Sequence, residues 1–269
     1  MKTADPSGPI GIFDSGVGGV SALDAIRRAL PRENLLYVAD SGHLPYGEKS
    51  PAAVIARALS IADFFLARQA KAVAIPCNTA TAVAVEALRA HHPGLPIVGI
   101  EPAVKPAARL TRSGVIGVLA TTGTLFSERF HALVRRQAED VEVLVKPCPG
   151  WVTLVEEGGW TPQQDHLVAQ PLADLLARGA DVLVLGCTHF PFLAEPIRRH
   201  AGPGVALLET GEPFARQLHR QLLSHGLVNA AGQGTVEFLT SGDPAAVARR
   251  IAALTGHPAA VARLPQPYC

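Results

Sequence analysis

Ala72-Val-Ala-Ile-Pro-Cys77-Asn78-Thr79-Ala80 is an unbroken apolar run that ends in a proline and a cysteine and passes at once into helix-compatible residues. A run of this length without polar alternation is the pattern of a strand buried on both faces, as in a parallel sheet covered by helices. Asp181-Val-Leu-Val-Leu-Gly-Cys187-Thr188-His189 has the same grammar further along the chain. Each stretch sets a thiol at the carboxyl end of a buried strand, with hydrogen-bonding side chains directly after it.

Around the first stretch, strands and helices alternate. Ile10–Asp14 and Leu35–Asp40 are expected strands, Val20–Leu30 a helix and Ser41–Gly47 a loop. Residues 51–69 carry apolar positions at helical spacing, a helix runs to about His91, and Pro96–Ile100 is the next strand. The series restarts at Val115–Ala120. It continues through a helix to Arg136, a strand at Val141–Lys146, a helix over Asp165–Arg178, the Cys187 strand, a helix near Leu193–His200 and a strand at Val205–Leu208. A helix (Pro213–His225), a strand (Thr235–Leu239) and a helix (Ala245–Leu254) follow.

The two series look like copies. Gly11-Ile-Phe-Asp-Ser15-Gly16 answers Gly117-Val-Leu-Ala-Thr121-Thr-Gly123, and Asp14 precedes Cys77 by 63 residues where Ala120 precedes Cys187 by 67. A repeat of that length predicts an α/β fold of two similar domains, each a parallel-rich sheet flanked by helices, with the active site in the cleft between them. Residues 1–100 with 211–269 are expected to form the first domain and residues 101–210 the second. Ligands of open parallel sheets sit outside the carboxyl ends of the strands, and Asp14, Cys77, Thr121 and Cys187 all fall at such ends.

Composition narrows the function. The 269 residues are 48% hydrophobic and 17% charged, with a net charge of +1 and no long run of one sign, which leaves no electrostatic basis for a nucleic-acid or anionic-membrane partner. No apolar run approaches the roughly 18 residues of a membrane-spanning helix. Met1-Lys-Thr-Ala-Asp-Pro-Ser-Gly-Pro lacks the apolar core of a signal peptide, so a cytoplasmic protein is expected. Four cysteines without a Cys-x-x-Cys pair suggest neither a disulfide framework nor a zinc centre, and no metal is expected.

Cys148, between two prolines, and Cys269 are read as structural. Cys77 and Cys187 differ because a strand-to-helix switch follows each. Backbone N–H groups and the positive helix end there are expected to pull a thiol pKa of about 8.5 towards neutrality. Two such thiols on opposite walls of one cleft suit the inversion of a stereocentre, one thiolate removing a proton and one thiol returning another. A cysteine protease fits less well, since it needs one nucleophile with an oriented imidazole base.

The neighbours of these thiols each carry two readings. Asp14 precedes the glycine-rich Ser15-Gly16-Val-Gly18-Gly19 and is either a helix cap or part of the site. The turn lacks the last glycine of a dinucleotide fingerprint, so capture of a carboxylate by Ser15, nearby amides, Asn78 and Thr79 is the better reading. His189 is placed to exchange protons with Cys187. Glu156 and Glu157 end a short helical stretch, and Tyr46 is either loop packing or a substrate contact.

Taken together, Phe13-Asp14-Ser15-Gly16-Val17-Gly18-Gly19, Pro45-Tyr46-Gly47, Cys77-Asn78-Thr79-Ala80, Val155-Glu156-Glu157-Gly158 and Gly186-Cys187-Thr188-His189-Phe190-Pro191 resemble the signature set of glutamate racemases, in the family's order. The resemblance implies a cofactor-independent racemase that interconverts L- and D-glutamate and supplies the D enantiomer for peptidoglycan. It implies Cys77 and Cys187 as acid/base residues, with Asp14 assisting Cys77, and His189 and Glu157 assisting Cys187. Asp14, Ser15, Tyr46, Gly47, Asn78, Thr79, Thr121, Thr188 and His189 are implied to bind glutamate, and a homodimer is the implied assembly. Pyridoxal chemistry needs a Schiff-base lysine, and only Lys49 of the lysines follows a candidate site segment, so no cofactor is expected. Two alternatives stay open at this point. One is a relative acting on aspartate, hydantoin or maleate. The other is a two-lobed amino-acid-binding protein without catalysis, against which the paired thiols speak.

Overall fold

A computed structural model describes residues 5–269 of the chain. The first sheet grows from the amino-terminal half: β1 (Ile10–Asp14), α1 (Val20–Ala29), β2 (Leu35–Ala39), α2 (Pro51–Ala67), β3 (Ala72–Ile75), α3 (Asn78–His91) and β4 (Ile97–Gly99). α2 starts where the sequence supplies a proline at its first turn and Ser50 as cap, whose Oγ accepts from Ala53 N at 3.3 Å. Beyond β4 the chain leaves this sheet through α4 (Val104–Leu110) and builds the second: β5 (Val115–Ala120), α5 (Thr122–Leu125), α6 (Glu128–Gln137), β6 (Glu142–Pro147), α7 (Trp151–Glu157), α8 (Asp165–Ala177), β7 (Val182–Gly186), α9 (Ala194–Ala201) and β8 (Ala206–Leu208). It then returns to the first sheet with α10 (Gly211–Ser224), β9 (Val236–Thr240), α11 (Pro244–Thr255) and β10 (Val261–Arg263).

Every strand pair is parallel. The strand order is β10-β9-β2-β1-β3-β4 in one sheet and β6-β5-β7-β8 in the other. The order β2-β1-β3-β4 in the first therefore recurs as β6-β5-β7-β8 in the second, as the sequence repeat predicts. In such an order the chain winds outward in both directions from the central pair, and the crevice lies between the carboxyl ends of that pair. The pairs are β1 with β3 and β5 with β7. Asp14 and Cys77 lie at the ends of the first, Thr121 and Cys187 at the ends of the second.

The period-two alternation of strand side chains divides each sheet into two buried faces. On one face of the first sheet Ile10, Ile12, Leu35 and Tyr37 pack with Leu23 and Ile26 of α1 and Phe214 and Leu218 of α10. On the other, Phe13, Leu36, Val38, Val73 and Ile75 pack with Ile61 and Phe65 of α2 and Val85 and Leu88 of α3. The second sheet is covered on one side by Trp151, Leu154, Leu172 and Leu175, and on the other by Val104, Ala107, Phe130 and Leu133. A buried ion pair, Lys71 Nζ with Glu33, helps fasten the returning segment to the first sheet, since Glu33 Oε1 also accepts from Asn229 N at 2.8 Å.

Three differences from the sequence reading have physical causes. α4 and β10 went unread because seven and three residues are too short for a period to emerge. The helix expected through Arg136 is broken in two, because Ser127 caps a new helix by accepting from Phe130 N at 3.1 Å. Cys187 is followed by a 3₁₀ turn over Phe190–Leu193, not directly by an α-helix.

Candidate active site

At the first central pair, β1 delivers Asp14 and β3 delivers Cys77. Ile12 is in register with Ala74, which brings both strand ends to one edge. Cys77 is the cap of α3, and its Sγ accepts from Ala80 N at 3.4 Å. Ser15 Oγ lies 3.8 Å from the same sulfur. The next residue, Asn78, is buried with neither its side-chain oxygen nor its nitrogen hydrogen-bonded among the described residues, and Asp14 Oδ1 is buried in the same condition. Unmet buried polar atoms are uncommon and costly. Here they gather where a polar ligand is expected.

At the second central pair, Cys187 ends β7, and His189 turns its two ring nitrogens in different directions. Nδ1 stands 3.8 Å from Cys187 Sγ, and Nε2 stands 2.7 Å from Glu156 Oε1 at the end of α7. Glu156 Oε1 also accepts from Val17 N at 2.8 Å, so this carboxylate spans the gap to the turn after β1. Two more bonds cross in the same place. Thr188 Oγ1 donates to Asp14 Oδ2 at 3.0 Å, and Ser21 Oγ donates to Thr188 O at 2.9 Å.

The glycine-rich turn also has a packing use. A Cβ at Gly16 would run into the Glu156 carboxylate, and one at Gly18 would land on the His189 ring. The glycines are therefore the depressions into which the second sheet's polar side chains fit. Tyr37 steadies the turn from behind, its Oη donating to Gly16 O at 3.0 Å.

A hydroxyl cluster closes the other side. Thr79 Oγ1 lies 2.8 Å from Thr121 Oγ1, which lies 3.0 Å from Thr124 Oγ1. A Cβ on Gly47 would meet Thr121, so the Pro45–Gly47 loop also abuts this cluster. Tyr46 turns its phenol the other way. Its Oη donates to Asp40 Oδ2 at 2.6 Å, and Asp40 is gripped on both oxygens by Arg57 at 2.7 and 3.0 Å. The phenol is thus committed to the first sheet's core, which leaves the loop backbone as the part that borders the site.

Of the residues anticipated from the sequence, the structure brings Asp14, Ser15, Cys77, Asn78, Thr79, Thr121, Thr188, Cys187 and His189 to one gap and sets Gly47 on its edge. It does not bring Glu157 there. Glu157 is exposed, and the contact to His189 belongs to Glu156. Helical spacing does not separate the two: Glu156 lies four residues beyond half-buried Val152 but three beyond exposed Thr153, and Glu157 lies three beyond buried Leu154 but four beyond Thr153. Thr124 and Tyr37 also escaped notice, and nothing local to either residue marks it. Cys148 donates to Lys146 O at 3.4 Å and Cys269 to Ser241 O at 3.4 Å.

The gap is closed and its charges are coupled. Cys77 is 4% exposed, Cys187 8% and His189 1%. The expectation that helix placement lowers the thiol pKa is overturned at Cys77. Burial, and then the negative charge of Asp14, push it well up, and the N–H groups of Ala80 and Ser15 only partly oppose them. Burial likewise raises Asp14, against His189, Cys77, Thr188 and Ser15. His189 is raised as well, but for the opposite reason: burial disfavours its charge, and Cys187, Glu156 and Asp14 together outweigh it and hold its pKa well above the ordinary value.

Comparison with known proteins gives the chain its family. The profile of the Asp/Glu/hydantoin racemase family matches residues 10–218. The glutamate racemase of Pseudomonas syringae pv. tomato is 55% identical over 221 residues, which cover 82% of this chain and 80% of that protein. The crystal structure of glutamate racemase from Thermus thermophilus in complex with β-chloro-D-alanine superposes with a TM-score of 0.83 at 38% identity, covering 98% of this chain and 100% of that one. The Escherichia coli glutamate racemase in complex with L-glutamate and the activator UDP-MurNAc-Ala gives a TM-score of 0.83 at 32% identity, with 95% and 97% covered.

Proposed function

The chain belongs to the Asp/Glu/hydantoin racemase family and is an amino-acid racemase, and from that premise we propose that its substrate is glutamate and that Cys77 and Cys187 invert the α-carbon by a two-base transfer. The observation that carries this reading is the pair of buried thiols at the ends of β3 and β7, close enough for their charges to interact and each with its own polar neighbours, Ser15 beside Cys77 and His189 beside Cys187. In the D-to-L direction the Cys77 thiolate takes the α-proton and the Cys187 thiol returns one to the opposite face. In the L-to-D direction the roles exchange.

The partners follow from the contacts. Asp14, carboxyl end against the Cys77 corner, takes part in setting that thiol's proton affinity. His189, oriented by Glu156, holds a proton within reach of Cys187. Asn78, with both amide atoms free of protein partners, and the hydroxyls of Ser15, Thr79, Thr121 and Thr188 supply donors and acceptors for the ammonium and two carboxylates of glutamate. No group in this scheme acts as an electron sink for the carbanion, so fixed dipoles in a site that excludes water have to lower the barrier.

Residues 1–100 with 211–269 are taken as one lobe and 101–210 as the other, joined where the chain crosses after β4 and after β8. Because the gap is closed, substrate enters only when the lobes part, a hinge motion of the kind that gates many enzymes. The D-glutamate formed would serve peptidoglycan synthesis in the cytoplasm. Among the described residues no helix is long and apolar enough to cross a membrane.

The test is direct. Purified protein incubated with L-glutamate in D₂O, with no cofactor added, should produce D-glutamate carrying α-deuterium. Folded protein that forms no D-glutamate would reject the substrate assignment. Near-normal turnover by Cys77→Ala or Cys187→Ala would reject the two-thiol scheme.

A further inference from the structure

Away from the gap, the carboxyl end of α3 carries two adjacent histidines opposite Asp63 of α2. Neighbours in a continuing helix point about 100° apart and do not share a face. Here the helix stops at His91, and His92 leaves the helical path with φ −119° and ψ 67°. The break lets the two rings meet edge to face, with centroids 4.7 Å apart. One ring nitrogen from each histidine and one carboxylate oxygen of Asp63 lie within 4.8 Å of one another.

His92 supplies the second observation. Its side chain is 9% exposed, and its Nε2 is buried with no hydrogen-bond partner among the described residues, although Asp63 Oδ1 stands 3.4 Å away. A ring nitrogen is seldom left so without a purpose. The 3.4 Å spacing also equals the edge of a tetrahedron whose ligands stand about 2.1 Å from zinc. His91 and Asp63 are exposed and have room to rotate onto the remaining positions.

We propose that Asp63, His91 and His92 form a binding site for a divalent transition-metal ion of the zinc, nickel or copper class. Two imidazoles and one carboxylate match those ions better than calcium or magnesium, which take oxygen ligands. Solvent completes the coordination. The ion ties α2 to the last turn of α3 and leaves both thiols of the gap untouched, so its effect is on stability and not on the reaction.

Nickel chloride is the probe, because zinc is also captured by cysteine thiolates. Calorimetric titration of the full chain should show one nickel site that is lost in both Asp63→Asn and His91→Ala. The melting temperature should rise by about 5 °C at a hundredfold excess over Kd in the wild type only. X-ray absorption at the nickel edge should show imidazole nitrogen and oxygen scatterers. Both substitutions are at exposed positions, so without metal the variants should melt and racemise like the wild type. No binding by the wild type, the same binding in either variant, or sulfur scatterers at the nickel edge would each overturn the proposal.

Discussion

Replacing Glu156 and Glu157 by glutamine, one at a time, separates two chemically identical neighbours by what they touch. Glu156 Oε1 takes the His189 Nε2 contact at 2.7 Å and the Val17 N–H at 2.8 Å. A glutamine oxygen still accepts from both, so the substitution removes charge and keeps shape. A hydrogen bond to a charged group contributes about 1.5–3 kcal/mol against about 0.5–1.5 kcal/mol for a neutral one. The difference of about 1–2 kcal/mol corresponds to a loss of about 5- to 30-fold in kcat/KM if the contact persists in the transition state. The two enantiomers have equal free energies in water, so kcat/KM has to fall by the same factor in both directions whichever wall is damaged. The assay that locates the damage is the isotope effect with α-deuterated substrates. Weakening His189 should enlarge it most from L-glutamate, whose α-hydrogen goes to Cys187 in the proposed scheme. Glu156 is also one of the groups that raise His189, so its loss should move the alkaline limb of the rate profile to lower pH. Glu157→Gln, at an exposed position, should stay within about twofold in rate and within about 0.5 kcal/mol in stability. Wild-type kinetics in Glu156→Gln with a loss in Glu157→Gln would refute the reasoning.

Three other outcomes follow from the same contacts. Gly18→Ala sets a methyl group on the His189 ring; overpacking of this kind costs about 1–3 kcal/mol, so a lower melting temperature together with slower turnover is expected, and an unchanged variant would contradict the close approach. Tyr46→Phe deletes the 2.6 Å bond to Asp40 while Arg57 keeps its grip; denaturant titration should show a loss of about 1.5–3 kcal/mol with KM for glutamate little changed, whereas a large rise in KM would mean that the phenol does reach substrate. Asp181 is held down to about 2 by Thr111, Arg112 N and Ser113 N, whose bonds prevail over the burial that opposes them. Because its folded pKa is depressed, Asp181 contributes stability above its unfolded value near 4 and loses it as pH falls towards 2. Asp181→Asn should therefore cost about 2 kcal/mol at pH 7 and nearly nothing at pH 2, and an equal cost at both values would refute the assignment.

Much of the fold was legible because a doubly covered parallel sheet writes its strands as apolar runs, and because the second half repeats the first. Asp14 and Cys77 could be placed from the ends of those runs alone. What stayed hidden depends on contacts between the two sheets. The glycines after Asp14 carry no local mark that distinguishes an anion cradle from a seat for His189 and Glu156. Tyr46 could not be oriented, because its partner Asp40 lies on a different element and Arg57 on a third. The pKa of Cys77 was misjudged in sign for the same reason: a helix start is visible in sequence, but the enclosure and the neighbouring Asp14 charge that outweigh it are tertiary. Glu156 and Glu157 stayed indistinguishable for the same reason, since the contact that singles out Glu156 is made to His189 on another element.

The enclosure of the two thiols shifts where turnover is controlled. In a protein that hides its reacting groups completely, each visit by a substrate molecule begins and ends with a doorway event, and the thiols wait on it. Traffic through the doorway then sets a ceiling that no refinement of the proton relays can lift. In the proposed two-lobe scheme the residues that would tune that ceiling are the ones that join the two sheets, at 100–103 and 209–210. On that scheme a search for faster variants belongs at these six joining positions and not beside the cysteines.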